Sequence, residues 1–391
     1  MNSPIQTQIP LILDTLSAKN HLRTIPDTDN SADLYLNHQG RMLLNLASNN
    51  YLGLAGSDRH KQAAIKAVNS YGTSSSASRL ISGNYQACDQ LEDRLCRFKK
   101  TPAALVTGSG YSANLCILGA LAGRKSIIFS DRLNHASITD AALLSRARSI
   151  RYRHADMDHL EFLLKKHQGY PEKILITDTV FSMDGDTAPL LDIVELCKKY
   201  QVLISVDEAH ATGIFGKGRG LAHHLGVANE IQVHMGTFSK ALGSYGGYIA
   251  SGSDIISLII NRGRPFIYST ALPPAVIGAS LAGLDSVLDS PEKGSQLLDM
   301  ARHMRSFLHD QGFDTGQSAT QIIPVILGRS SLVLQARQML MESGIFAGAV
   351  RPPTVPSGTA RLRLSLRTDM GRNEIGKIKQ AFILLKKQLN L

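Results

Sequence analysis

Between about residues 46 and 285, short apolar runs alternate with stretches whose apolar residues recur at helical spacing. The runs lie at 103–106, 126–129, 174–177, 203–206, 231–235 and 248–250. A strand covered by helices on both faces reads as a continuous apolar run rather than an alternating one. The rhythm therefore predicts an α/β domain, a mostly parallel sheet between two helical layers.

The flanks read differently. Residues 1–45 hold one short amphipathic segment around Leu11 to Leu22, which predicts an arm packed on another domain or subunit. Beyond Pro291 a helix-like region precedes apolar runs at 321–327 and 361–366. Ile375, Ile378, Phe382, Leu385 and Leu389 then share one face of a closing helix. The expected organisation is an arm over 1–45, a large domain over 46–285 and a smaller α+β domain over 286–391. No repeat, low-complexity tract or long linker separates them.

Composition narrows the function classes. A chain of 391 residues exceeds one small core, and a hydrophobic content of 43% suits a packed globule. No apolar stretch approaches the roughly eighteen residues of a membrane span, and the N-terminus has no basic region followed by an apolar core. A cytoplasmic protein with no membrane association is expected. The four cysteines, Cys88, Cys96, Cys116 and Cys197, show neither a disulfide framework nor a metal-ligand spacing, so no metal is expected. The net charge of +10 is dispersed, whereas nucleic-acid binding requires clustering. One denser patch, Arg146 to His154, suits the exposed end of a helix leading into a strand, or an attraction for the phosphates of an acidic partner.

Chemistry gathers just after the apolar runs, where open α/β sheets bind ligands. Thr237-Phe238-Ser239-Lys240 places a lysine among hydroxyls, and such an amine can hold an aldehyde cofactor as an imine. Asp207-Glu208-Ala209-His210 ends the run at 203–206 with an acid and, three residues on, an imidazole. A carboxylate there can pair with a protonated pyridine nitrogen and make the ring an electron sink. Thr107-Gly108-Ser109-Gly110-Tyr111 turns into a helix-like stretch whose first N–H groups suit a phosphate. Beyond the run at 126–129, His135 could stack on a flat ring. Taken singly, each has a plainer reading: an ordinary histidine, a helix-capping acid, a turn-forming serine at Ser182.

Taken together these segments resemble the pyridoxal-phosphate enzymes of the aspartate-aminotransferase fold type I, and within them the α-oxoamine synthases. Ser48-Asn49-Asn50-Tyr51-Leu52-Gly53-Leu54 and Val180-Phe181-Ser182-Met183-Asp184-Gly185-Asp186 are further markers, so the likeness covers nearly the whole chain. The resemblance implies a large domain with a seven-stranded, mostly parallel sheet and pyridoxal 5'-phosphate as cofactor. It implies decarboxylative condensation of an amino acid with an acyl thioester. The stretch from Arg351 to Leu364 is most similar to members that take L-alanine and a pimeloyl thioester, carried on coenzyme A or on a carrier protein.

By the same resemblance Lys240 carries the cofactor, Asp207 faces the pyridine nitrogen, His210 and Ser182 address the ring oxygen, and His135 stacks over the ring. Gly110, Tyr111, Thr237 and Ser239 lie near the cofactor or its phosphate. Thr270, in Tyr268-Ser269-Thr270-Ala271, reaches the phosphate from a neighbouring subunit, which implies a homodimer with shared sites. Asn49, Thr354 and Arg23 belong to the substrate site, and the cation at Arg23 could also meet the distal pimeloyl carboxylate. Arg363 is the choice for the amino-acid carboxylate and Arg361 its alternate, because two residues apart on a strand share one face. Rival readings are a relative using glycine or serine with another acyl group, a transaminase or lyase, and a basic binding protein that keeps only the fold.

Overall fold

Seven strands form one sheet in the spatial order Ala103–Thr107, Gly247–Ser251, Val233–Thr237, Leu203–Asp207, Glu172–Asp178, Ser126–Asp131 and Arg148–Tyr152. The computed structural model describes residues 3–30 and 32–389. Only Gly247–Ser251 runs against its neighbours; all other pairs are parallel. The expected α/β architecture is therefore present. The run expected at 231–235 begins its strand at Val233 and extends to Thr237. Arg148–Tyr152 adds the edge strand, and its exposed arginines fit an edge, where charge discourages pairing with further strands.

The inner strands are buried on both faces and carry no polar alternation. Every residue of Ser126–Asp131 and of Val233–Thr237 is buried. The helix Gly110–Leu121 lays Ala113, Cys116, Ile117, Leu118 and Ala120 into the same core as Ile128, Val233, Met235 and Ile249. Ser109 caps it by accepting the Ser112 N–H at 3.1 Å. Gly247 makes this junction possible, since a Cβ there would lie 2.4 Å from the carbonyl oxygen of Ser109.

The chain divides into two compact units. One comprises Asn49–Ser182 and Asp186–Leu298 and contains the seven-stranded sheet. The other takes the chain up to Ser48, the short piece Met183–Gly185 and the chain from Asp299. The divisions thus fall at 48 and 298 where 45 and 285 were expected, the second within the helix Lys293–Asp310. In this second unit Ile322–Gly328, Ala360–Ser365 and Gly348–Val350 form an antiparallel sheet around the central Ala360–Ser365. Tyr35–His38 and Arg41–Asn45 pair as a hairpin, and Ile345–Phe346 joins Arg41–Asn45 in parallel. The closing helix Arg372–Leu389 buries Ile378, Phe382 and Leu385. The N-terminal segment forms a helix, Pro4–Ala18, with no buried residue.

Candidate active site

At the carboxyl edge of the sheet a cavity of about 180 Å³ collects Gly110, Tyr111, His135, Ser182, Asp207, His210, Thr237, Ser239 and Lys240. Each follows the end of a strand or opens the next helix, so the topology alone brings them to one place. Ser137, Asp178, Ala209 and Met235 complete the wall.

Asp207 is the last residue of Leu203–Asp207 and is held by two donors. Its Oδ1 accepts the Ala209 N–H at 2.9 Å and its Oδ2 accepts Asn114 Nδ2 at 2.9 Å. Beneath it, the buried Glu208 carboxylate pairs with the equally buried Lys99 ammonium and accepts the Ala222 N–H at 3.0 Å. The Glu208 carbonyl accepts the N–H groups of Ala211 and Thr212, so one residue fixes the turn that presents His210. Gly220 cannot carry a side chain here: a Cβ would meet the Glu208 carboxylate at 2.2 Å. Burial works against the Glu208 charge, but the Lys99 ammonium and His234 outweigh it and hold the carboxyl below its ordinary range. His210 Nδ1 lies 2.7 Å from the Tyr51 hydroxyl, which donates to Asn49 Oδ1 at 3.1 Å.

His135 caps the helix Ala136–Leu144. Its Nδ1 accepts the Ser137 N–H at 3.3 Å and lies 2.8 Å from the Ser137 hydroxyl, which accepts Asn114 Nδ2 at 2.8 Å. A continuous line therefore runs from His135 through Ser137 and Asn114 to Asp207. Burial lowers the His135 pKa; the Asp207 charge opposes this and the Lys240 charge adds to it. The ring is neutral near neutral pH, a flat face with Nδ1 turned away as acceptor. The His135 N–H donates to Asp178 Oδ2 at 2.8 Å. Asp178 stands beside Asp207 in strand register. Burial, with the Asp207 charge next to it, raises the Asp178 pKa well above the ordinary range.

On the other wall, Thr237 Oγ1 donates to the Gly246 carbonyl at 2.6 Å and accepts the Ser239 N–H at 3.1 Å. The Ser239 hydroxyl accepts the Gly246 N–H at 3.1 Å. These bonds shape the turn from which Lys240 rises. The Tyr111 hydroxyl is bonded to Asp140, and its ring meets His135 edge-on at 6.4 Å.

Thr270 is exposed and lies outside this cavity, along a separate recess with Arg79 and Gly108. Arg23, Thr354 and Arg363 belong to the second unit. There Arg23 Nη2 donates to Thr354 Oγ1 at 2.8 Å, and Arg351 Nη1 donates to the Asn20 carbonyl at 2.7 Å. Arg361 pairs with Asp184 at 2.5 Å and donates to the Thr359 carbonyl, whereas Arg363 Nη1 donates to Ser365 Oγ at 3.0 Å. Asn114, Ser137 and Asp178 were not among the residues singled out from the sequence. The only trace of Asp178 there was an acid closing an apolar run, the same signal that flagged Asp207.

The profile of the family Aminotransferase class I and II matches residues 41–381. The chain belongs to this family. An 8-amino-7-oxononanoate synthase of Geobacter sulfurreducens is 48% identical over 357 residues, covering 90% of this chain and 91% of that one. A serine palmitoyltransferase variant from S. paucimobilis, solved with bound PLP-myriocin aldimine, superposes with a TM-score of 0.93 at 27% identity over all of both chains. The 8-amino-7-oxononanoate synthase of Francisella tularensis gives a TM-score of 0.77 at 25% identity, covering 89% of this chain and 98% of that one. The seven-stranded sheet is thus that of a class I and II aminotransferase fold of type I. No helix among the described residues is long and apolar enough to cross a membrane.

Proposed function

We propose that the protein is an 8-amino-7-oxononanoate synthase, joining L-alanine to a pimeloyl thioester with loss of carbon dioxide and free thiol, as a step toward biotin. Pyridoxal 5'-phosphate is the cofactor. The observation that carries this reading is the cavity in which Lys240, Asp207, His210 and His135 converge, in a chain 48% identical to a synthase of that name. The donor set fits the group: an anion fixed by two N–H donors for a pyridine nitrogen, a neutral imidazole face, and a helix N-terminus with hydroxyls for a phosphate.

When bound, the cofactor supplies an electron sink for bonds broken at the substrate α-carbon. The residues do the rest. Lys240 would hold the cofactor through Nζ, and the same amine would take the α-proton of L-alanine and return a proton to the product. Asp207, immobilised by Asn114 and Ala209, holds positive charge on the ring nitrogen. His210 and Ser182 set the ring oxygen, and His135 covers one ring face. Gly110, Tyr111, Thr237 and Ser239 address the phosphate, with exposed Thr270 offered by a second copy of the chain in a homodimer.

Arg363 takes the alanine carboxylate, since a guanidinium fork fixes rotation about the α-carbon. Arg23 and Thr354, already hydrogen-bonded to each other, face the acyl chain together with Asn49. The protein works in the cytoplasm.

The test is turnover with L-alanine and pimeloyl-coenzyme A, read by thiol release, carbon dioxide and product mass. Glycine with acetyl or succinyl thioester and serine with a long-chain acyl thioester run alongside. Preferred turnover of L-alanine with the pimeloyl thioester supports the reading; preference for another pair overturns it.

A further inference from the structure

Immediately after the edge strand Arg148–Tyr152, His154 lies between two aspartates. Its Nδ1 is 3.0 Å from Asp131 Oδ1 and its Nε2 is 2.7 Å from Asp186 Oδ2. Phe181 meets the ring edge-on with centroids 4.5 Å apart. A neutral imidazole has one acceptor nitrogen, which would point a lone pair at a carboxylate; only the doubly protonated ring satisfies both contacts.

Each aspartate shapes a different loop of the cavity. Asp131 ends Ser126–Asp131, and its Oδ1 accepts the Leu133 N–H at 2.8 Å while its Oδ2 accepts the Ala155 N–H at 3.0 Å. Its carbonyl accepts the Asn134 N–H, so it forms the turn that delivers His135. Asp186 closes the other loop: its carbonyl accepts the Phe181 N–H at 3.1 Å, beside the bridge between Val180 and Thr187. Ser182 follows Phe181 directly on this loop.

We propose that His154 is a positioning residue, an imidazolium clasp that keeps the His135 turn and the Ser182 loop in register over the cofactor. The inference rests on the roles proposed above for His135 and Ser182. It predicts that the clasp acts through the geometry of the bound cofactor and not merely through stability.

The experiment compares wild-type holoenzyme with His154→Phe, which keeps a flat ring but neither hydrogen bond, and with Asp186→Asn, which keeps size but removes one charge. Visible-range circular dichroism of the cofactor, kcat per bound cofactor, KM for L-alanine and the melting temperature are read together. The clasp predicts an altered cofactor signal and a fall in kcat approaching about a hundredfold for His154→Phe, the scale of a small misplacement at a reacting centre. A smaller fall of the same kind is expected for Asp186→Asn, which carries the comparison should His154→Phe fail to fold. A lowered melting temperature with unchanged cofactor signal and unchanged kcat overturns the proposal. Wild type that shows a cofactor signal without condensing alanine and pimeloyl thioester removes the assigned reaction, while the cofactor signals of the variants still decide the role of His154.

Discussion

Asn114 donates from Nδ2 to Asp207 Oδ2 at 2.9 Å, reaching down from the second turn of the helix Gly110–Leu121. The same amide nitrogen serves Ser137, so one buried side chain couples the acid opposite the ring nitrogen to the imidazole that covers the ring. Asn114→Leu keeps the volume and removes both bonds. A hydrogen bond to a charged group contributes about 1.5–3 kcal/mol, so affinity for pyridoxal phosphate should fall roughly ten- to a hundredfold. Spectroscopic titration of the apoprotein measures this, and unchanged affinity would contradict the assignment of Asp207.

The two arginines of Ala360–Ser365 should separate in kinetics. Arg363→Lys loses the two-point grip on a carboxylate and should raise KM for L-alanine by about ten- to a hundredfold, the scale of one such bond. Arg361→Lys should leave that KM within a small factor and lower the melting temperature, because its guanidinium serves Asp184 and the Thr359 carbonyl. The reverse pattern would exchange their roles.

Lys99 and Glu208 are both fully buried and paired. Removing one partner leaves the other charge stranded, so Lys99→Met should destabilise the fold by about 3–5 kcal/mol in denaturant unfolding. Lys99→Met with Glu208→Gln should recover part of that loss, since no uncompensated ion remains.

Stability should depend on pH through His154. Burial opposes its charge, yet the hydrogen bonds it donates to Asp131 and Asp186, with their negative charges, outweigh this and raise its pKa from 6.5 to about 10. A group whose pKa is raised on folding stabilises fully below its unfolded value, and that contribution is lost as pH rises through the folded one. The difference in melting temperature between wild type and His154→Phe should therefore be greatest near pH 6 and should close as pH passes about 10. A difference that widens with rising pH would contradict the imidazolium.

Much of the fold was legible because the sheet is buried on both faces, so its strands survive as uninterrupted apolar runs. Lys240, Asp207, His210 and His135 were legible because each stands just past such a run, and chain order carries them to one edge. The strand Arg148–Tyr152 was harder to read, since an edge strand keeps its arginines in water and breaks the apolar signal. Asn114 reads as an ordinary polar residue within an apolar helix, and only the folded packing turns it toward Asp207. The parallel pairing of Ile345–Phe346 with Arg41–Asn45 joins segments some 300 residues apart, which no local pattern encodes. His154 was seen as part of a basic patch, although its ring faces two carboxylates rather than solvent.

The account rests most directly on which amine holds the cofactor. Reduction of the holoprotein with borohydride, followed by digestion and peptide mass mapping, should place the reduced pyridoxyl-phosphate mass on Lys240 alone and give none in Lys240→Ala. The mass on a different lysine, or its persistence in Lys240→Ala, would contradict the site described.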